Sequence, residues 1–336
     1  MSQEVMPTMM DKPFGEENKG HEKQEEKAQH FDPFKVFDTV PKLRRMNAVS
    51  LAKDGTPYNI FVATFEHVFN EQYPVISRLN RIAVHGGKAS LLNLAMADVS
   101  ALRRTSGGYL SVDSLKSQPG RFFTVGIATY SRLRNNEPVN GRYGRQLCVA
   151  VSDLLWPRAT AVIAAVYGIT DTLNVLTYNH GVTFTSRFLQ VDNQSKTIVP
   201  GISQSPAKAV GASQKVQPVL PHDADVPVWD GRNAFALGEY RNLPRWDGEI
   251  PPGAAVLVIF TVHIYKHKVA EARYDTTSFN IQEVILLELP SPSESNSSKL
   301  SLHPPRNIAL GVLDDETGPA TSNDDGDSGA KDMFLV

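Results

Sequence analysis

A chain of 336 residues with 41% hydrophobic side chains holds enough apolar matter for one sizeable core, and its biased ends leave about 250 residues to build it. The net charge of −2 excludes a uniformly basic polyanion binder, yet residues 31–160 carry 17 Lys and Arg against 9 Asp and Glu, so the front of the core is basic. A single cysteine, Cys148, excludes an intrachain disulfide framework and favours a reducing compartment.

Residues 1–30, rich in Glu, Lys and Gln and without the apolar stretch of a secretory signal, read as a disordered acidic arm. A core domain over residues 31–290 follows. It opens with an Asp54-Gly55 turn and a strand over 58–65. Residues 66–81 stay ambiguous, because Val68, Tyr73, Ile76 and Leu79 suit one helical face while Pro74 argues against a long helix. The spacing of Leu91, Ala95, Val99 and Leu102, with Ser90 as cap, Arg103 and Arg104 at the end and Gly107-Gly108 as stop, predicts a helix over 90–104.

Phe123, Val125 and Ile127 then alternate with small or polar residues, and Leu147, Val149 and Val151 form a second apolar run. Between them lies a Gly/Pro/Asn-rich loop bearing Arg132, Arg134, Arg142 and Arg145 with Tyr130 and Tyr143. Asp153 closes the second run, and either Ser152 or Asp153 fits as the cap of a short helix with Pro157 in its first turn. Val182, Phe184 and Phe188 oppose Thr183, Thr185 and Arg187, which describes a sheet with one wet face. Residues 191–252 read as a long irregular insertion holding Trp229 and Trp246, each followed by Asp-Gly. Strands resume over 256–265 and 278–289, and residues 291–336 read as a disordered acidic Ser/Asp-rich tail. The whole describes a mainly β protein, a jelly-roll-like antiparallel β-sandwich with one or two short helices and disordered termini.

Catalytic patterns are missing. There is no GxxxxGK[ST] phosphate cradle and no GxSxG elbow, and Cys148 sits in an apolar strand as a small buried hydrophobe. His263 and His267 share a strand face, and His222-Asp223-Ala224-Asp225 offers polar ligands, but neither has the spacing of a metal site. We expect no enzyme, no metal and no cofactor. Single-stranded nucleic acid is the better physical match: Arg132, Arg134, Arg142 and Arg145 suit phosphates, and Tyr143 suits base stacking. The plain alternative is a solvated loop between strands.

The order of parts resembles the thirty-kilodalton superfamily of plant-virus movement proteins. The similar features are the strand ending Val151-Ser152-Asp153, the small-residue segment closing at Gly168, and Tyr178-Asn179-His180-Gly181-Val182. A late apolar strand over 254–267 runs into basic residues, and a polar acidic tail follows. Many relatives carry a basic residue after the Asp and a Pro before the aromatic, where this chain has Leu154, Leu155 and Thr177. The resemblance spans residues 80–270. It implies a viral protein that binds single-stranded RNA or DNA, self-associates, and acts in host cytoplasm and at plasmodesmata through peripheral contact with membrane and plasmodesmal proteins. Asp153, Gly168 and Gly181 would then be signature or assembly residues. The longest apolar run, residues 254–264, is too short to span a bilayer as a helix. Two other readings stay open: a viral coat or matrix-type protein on the same core, and a non-viral ligand-binding β-sandwich using Trp229 and Trp246.

Overall fold

The computed structural model describes residues 31–70, 72–115, 118–135, 138, 142–191, 198–199, 218–269, 272–290, 300, 302–305 and 312–313. The N-terminal arm and most of the acidic tail expected from the sequence lie outside the described residues. The elements used below, in chain order, begin with β1 (Asn47–Leu51), β2 (Pro57–Asn59), β3 (Val62–Ala63), α1 (Tyr73–Ala83) and β4 (Leu91–Asn93). They continue with β5 (Phe122–Arg132), β6 (Gln146–Val151), α2 (Trp156–Tyr167), β7 (Thr172–Val175), β8 (Thr177–Tyr178) and β9 (Gly181–Thr185). Last come β10 (Val228–Asp230), β11 (Ala255–Val269), β12 (Ala272–Glu288) and β13 (Leu302–His303).

The protein is mainly strand, organised on a 12-stranded mixed sheet. β6 pairs antiparallel with both β9 and β5, β5 pairs antiparallel with β11, and β11 forms one long antiparallel hairpin with β12. β12 returns to β9 in parallel, with Phe184 opposite Phe279 and Thr185 opposite Asn280. These five strands therefore close into a ring. Its interior holds Phe184, Phe260 and Phe279, whose centroids lie 5.1, 5.3 and 5.3 Å apart, within the range of favourable aromatic packing. Beyond the ring, β7 and β10 add in parallel to the same edge of β12, and β1 and β2 extend the sheet from β7. The expected mainly antiparallel pairing thus gives way to a mixed sheet, because one edge of the 17-residue β12 receives three short strands running its own way.

The expected wet face also gives way along the central strands. β5 is buried over its first eight residues and β6 from Leu147 onward, because ring closure turns one face inward and α1 packs on β5. α1 carries Pro74 in its first turn, where the missing N–H has no helical partner to lose, and it buries Ile76, Leu79, Asn80 and Ala83. α2 likewise starts with Pro157 and is buried at every position from Trp156 to Ala164. It ends at Gly168 with φ 67°, the left-handed stop that glycine supplies.

The helix expected over 90–104 does not form. Asn93, 0% exposed, donates through Nδ2 to the carbonyls of Ala83 (2.5 Å) and His85 (3.1 Å) and accepts from the Ala95 N–H (3.0 Å), while Asp98 accepts from Ser100 N–H (2.9 Å). These side chains hold the backbone in β4 and two 3-10 turns, and Leu102–Arg104 then pairs with Leu110–Val112. The strand expected over 58–65 splits into β2 and β3, after which Phe65–Val68 turns into a short helix. Within 191–252 the described residues include β10 and a 3-10 helix at Leu237–Asn242. The tail departs from expectation at two places: β13 pairs with β3, and Val312–Leu313 pairs with Leu43–Arg44. Leu300 and Leu302 supply the apolar surface that packs this part of the tail on the core.

Candidate nucleic-acid interface

The registers of β5, β6 and β9 set two rows of side chains on the outer face of the ring. Arg132 lies opposite Gln146, which lies opposite Thr185; Tyr130 lies opposite Cys148, which lies opposite Thr183. Tyr130, Gln146, Thr183 and Thr185 are half-buried, so this face has a wet, polar and aromatic surface. Tyr178 on β8, 41% exposed, meets the Tyr130 ring edge-on at 5.1 Å. β8 and β9 join through Asn179 (φ 47°) and His180 (φ 62°), the double left-handed turn that suits a two-residue hairpin. Asn179 Nδ2 donates to the Thr129 carbonyl at 2.8 Å, and the exposed His180 ring meets Phe61 edge-on at 5.4 Å. Gly181 is required by contact rather than by dihedral: a Cβ there would lie 2.5 Å from Thr129 Oγ1 and 2.6 Å from Val149 N.

The arginine loop borders this face but is built differently from the sequence expectation. Arg134 pairs with Asp225 (2.5 Å) and donates to the Trp246 carbonyl (2.8 Å). Arg145, 7% exposed, donates to the carbonyls of Asn135 (3.2 Å) and Ala224 (3.4 Å). The Glu249 carboxylate anchors the loop's first residues, accepting from Ser131 Oγ (2.5 Å) and the N–H groups of Leu133 (2.9 Å), Arg134 (2.5 Å) and Asn135 (3.0 Å). Burial alone would raise the Glu249 pKa, but these hydrogen bonds hold it below the ordinary carboxylate value. Arg134 and Arg145 are thus internal pins, which corrects the expectation of four guanidinium groups facing phosphate. Arg142 is exposed and Tyr143 half-buried beside it.

Arg132 is the unusual member. It is 4% exposed and donates from one nitrogen to the Gly144 carbonyl at 2.9 Å, while its Nε and Nη1 have no hydrogen-bond partner among the described residues. A buried guanidinium with two open donors is costly unless an anion reaches it. Cys148, beside it on the face, is fully buried, and burial pushes its thiol up to about 12.

Asp153, Gly168 and Gly181 are not brought together. Asp153 precedes α2, its N–H donates to the Ala63 carbonyl (3.0 Å), and its carboxylate lies 4.0 Å from His303 Nε2. The residue that immediately precedes α2 is Leu155, which makes no side-chain cap. Asp153 lines a cavity of about 470 Å³ with Ser152, Thr64, Glu66, His67 and Phe34. Among the described residues no three His, Cys, Asp or Glu side chains are placed to hold a metal, and no helix is long and apolar enough to cross a membrane.

Trp229 and Trp246 are half-buried and held by polar partners. Trp229 Nε1 donates to Glu283 (3.0 Å), Arg245 covers its ring at 4.6 Å, and Arg232 covers Trp246 at 5.3 Å. Sequence reasoning missed Gln146 and Tyr178 as face residues. The period-2 pattern of β9 already placed Thr183 and Thr185 outward, but their neighbours became visible only with the register.

No family model matches the chain, and no curated protein matches it. Among solved structures the chain is similar to the crystal structure of gp2.5, a single-stranded DNA binding protein encoded by bacteriophage T7. The identity is 13% and the TM-score 0.27, over 54% of this chain and 97% of that one, an overlap too loose to carry a functional argument.

Proposed function

We propose that the chain binds single-stranded nucleic acid on the outer face of β5, β6 and β9. The observation that carries this reading is the face itself: the Tyr130 and Tyr178 rings meet edge-on among the half-buried Gln146, Thr183 and Thr185, with the exposed Arg142 on the bordering loop. The exposed Arg142 supplies a cation for phosphate, and the tyrosine rings accept stacked bases, each worth about 1–3 kcal/mol. Five-stranded barrels that bind oligonucleotides use a comparable face and the loop between their first two strands, which supports the placement by analogy.

On the resemblance carried by Asp153, Gly168 and the Tyr178–Val182 segment, we further propose that this binding serves cell-to-cell movement of a viral genome. In that role the protein self-associates in host cytoplasm and reaches plasmodesmata through peripheral membrane contact. The jelly-roll-like sandwich that the resemblance implies belongs to the same proposal.

A salt titration with single-stranded RNA and DNA tests the binding. Affinity falls steeply with salt, and Tyr130→Ala with Tyr178→Ala lowers it further while the fold is kept. A folded wild-type protein that binds neither strand at low salt ends the reading. Complementation of a movement-deficient plant virus tests the transport role, and assembly into particles instead favours the coat alternative.

A further inference from the structure

Outward positions continue past the ring onto the long hairpin. Thr185 lies opposite Asn280 and Asn280 opposite Thr261, and both Asn280 (5% exposed) and Thr261 (0%) are covered where Thr261 Oγ1 donates to the Pro218 carbonyl. The next outward residues of β11 are His263, Tyr265 and His267, all half-buried. Successive outward residues of a strand lie about 6.6 Å apart. Here the rings sit at 6.0 Å with a 10° interplanar angle (His263 and Tyr265) and at 5.9 Å (Tyr265 and His267). Tyr109, itself buried, backs the strip at 4.6 Å from His263.

The chemistry around the strip is one-sided. Opposite these residues on β12 stand Ser278, Thr276 and Tyr274, none of them acidic. Asp275 points the other way and pairs with Lys266 at 2.7 Å. Exposed Arg104 and Arg273 lie at the margins, and the Arg104 charge bears on His263. His267 Nδ1 is buried with no partner among the described residues, an open polar atom within a row of rings.

We infer that the His263, Tyr265 and His267 strip is a second stacking surface for the same single strand, so that the bound segment is longer than the face of β5, β6 and β9 alone accommodates. This rests on the proposed nucleic-acid binding and adds a footprint to it. Three planar side chains in series, flanked by cations and free of carboxylates, suit bases splayed along an extended backbone.

The test compares oligouridylates of about 8 and about 30 nucleotides, lengths that bracket the reach of one binding face. In the full chain, Tyr265→Ala with His267→Ala is expected to weaken the long oligomer at least about fivefold and leave the short one unchanged. His267→Phe, which keeps a ring, is expected to bind the long oligomer as wild type does, and 5-iodouridine in that oligomer is expected to photocrosslink to Tyr265 or His267. Equal affinity of wild type and the double variant for the long oligomer, with crosslinks confined to Tyr130 or Tyr178, overturns the strip and leaves the first face standing. Failure of wild type to bind either length overturns both.

Discussion

At the scale of single residues, two glycines of the resemblance are demanded for different reasons. Gly181→Ala drives a Cβ into the backbone of Cys148 and Val149, which cannot retreat, so it is expected to cost about 1–3 kcal/mol or more in urea unfolding. Gly168→Ala meets nothing within 4 Å and loses only the left-handed preference, about 1–2 kcal/mol. Cys148, with its thiol pushed up to about 12, is expected to resist alkylation at pH 8 until the protein unfolds, which a thiol titration with and without denaturant reads directly. Its burial was legible from the apolar run around it. The parts played by Arg134 and Arg145 were not, because their partners Asp225, Ala224 and Trp246 come from a segment some 80–110 residues further on.

At the scale of elements, β12 owes part of its hold to one carboxylate. Glu283, 6% exposed, accepts from Arg121 (2.5 Å), Arg241 (2.6 Å), Tyr240 (3.0 Å) and Trp229 (3.0 Å). Burial pushes its pKa up, but the Arg241 hydrogen bond, the Arg121 charge and the Trp229 bond outweigh it and leave the carboxyl below its ordinary value. A carboxyl lowered on folding contributes stability that is fully present above its unfolded pKa of 4.5 and is lost as pH falls through the folded one. Urea midpoints measured at pH 7 and pH 4 are therefore expected to fall more for wild type than for Glu283→Gln. The elements themselves were unevenly legible. Period-2 runs located β5, β6, β9 and the long hairpin, whereas the apolar spacing of 90–104 imitated a helix that Asn93 and Asp98 prevent. Asn93→Ala, which orphans the carbonyls of Ala83 and His85 and the Ala95 N–H, is expected to destabilise by about 1–3 kcal/mol.

At the scale of the whole molecule, the tail is tied to the front of the core through β13 on β3, and His303 Nε2 lies 2.6 Å from Thr64 Oγ1. Truncation before Leu300 is expected to lower Tm by about 2–4 °C for each kcal/mol lost, as read by thermal melting. The sequence carried the β class and the basic front of the core. It did not carry the ring, because ring closure pairs Phe184 with Phe279 and such pairing leaves no local pattern. That same closure sets a timetable for the newborn chain. Synthesis at about 5–20 residues per second delivers β9 many seconds before β12, so Phe184 emerges without the strand that will cover it. During that interval the unfinished sheet shows an apolar edge to solvent, and the final turn of the barrel waits on the last long hairpin to leave the ribosome.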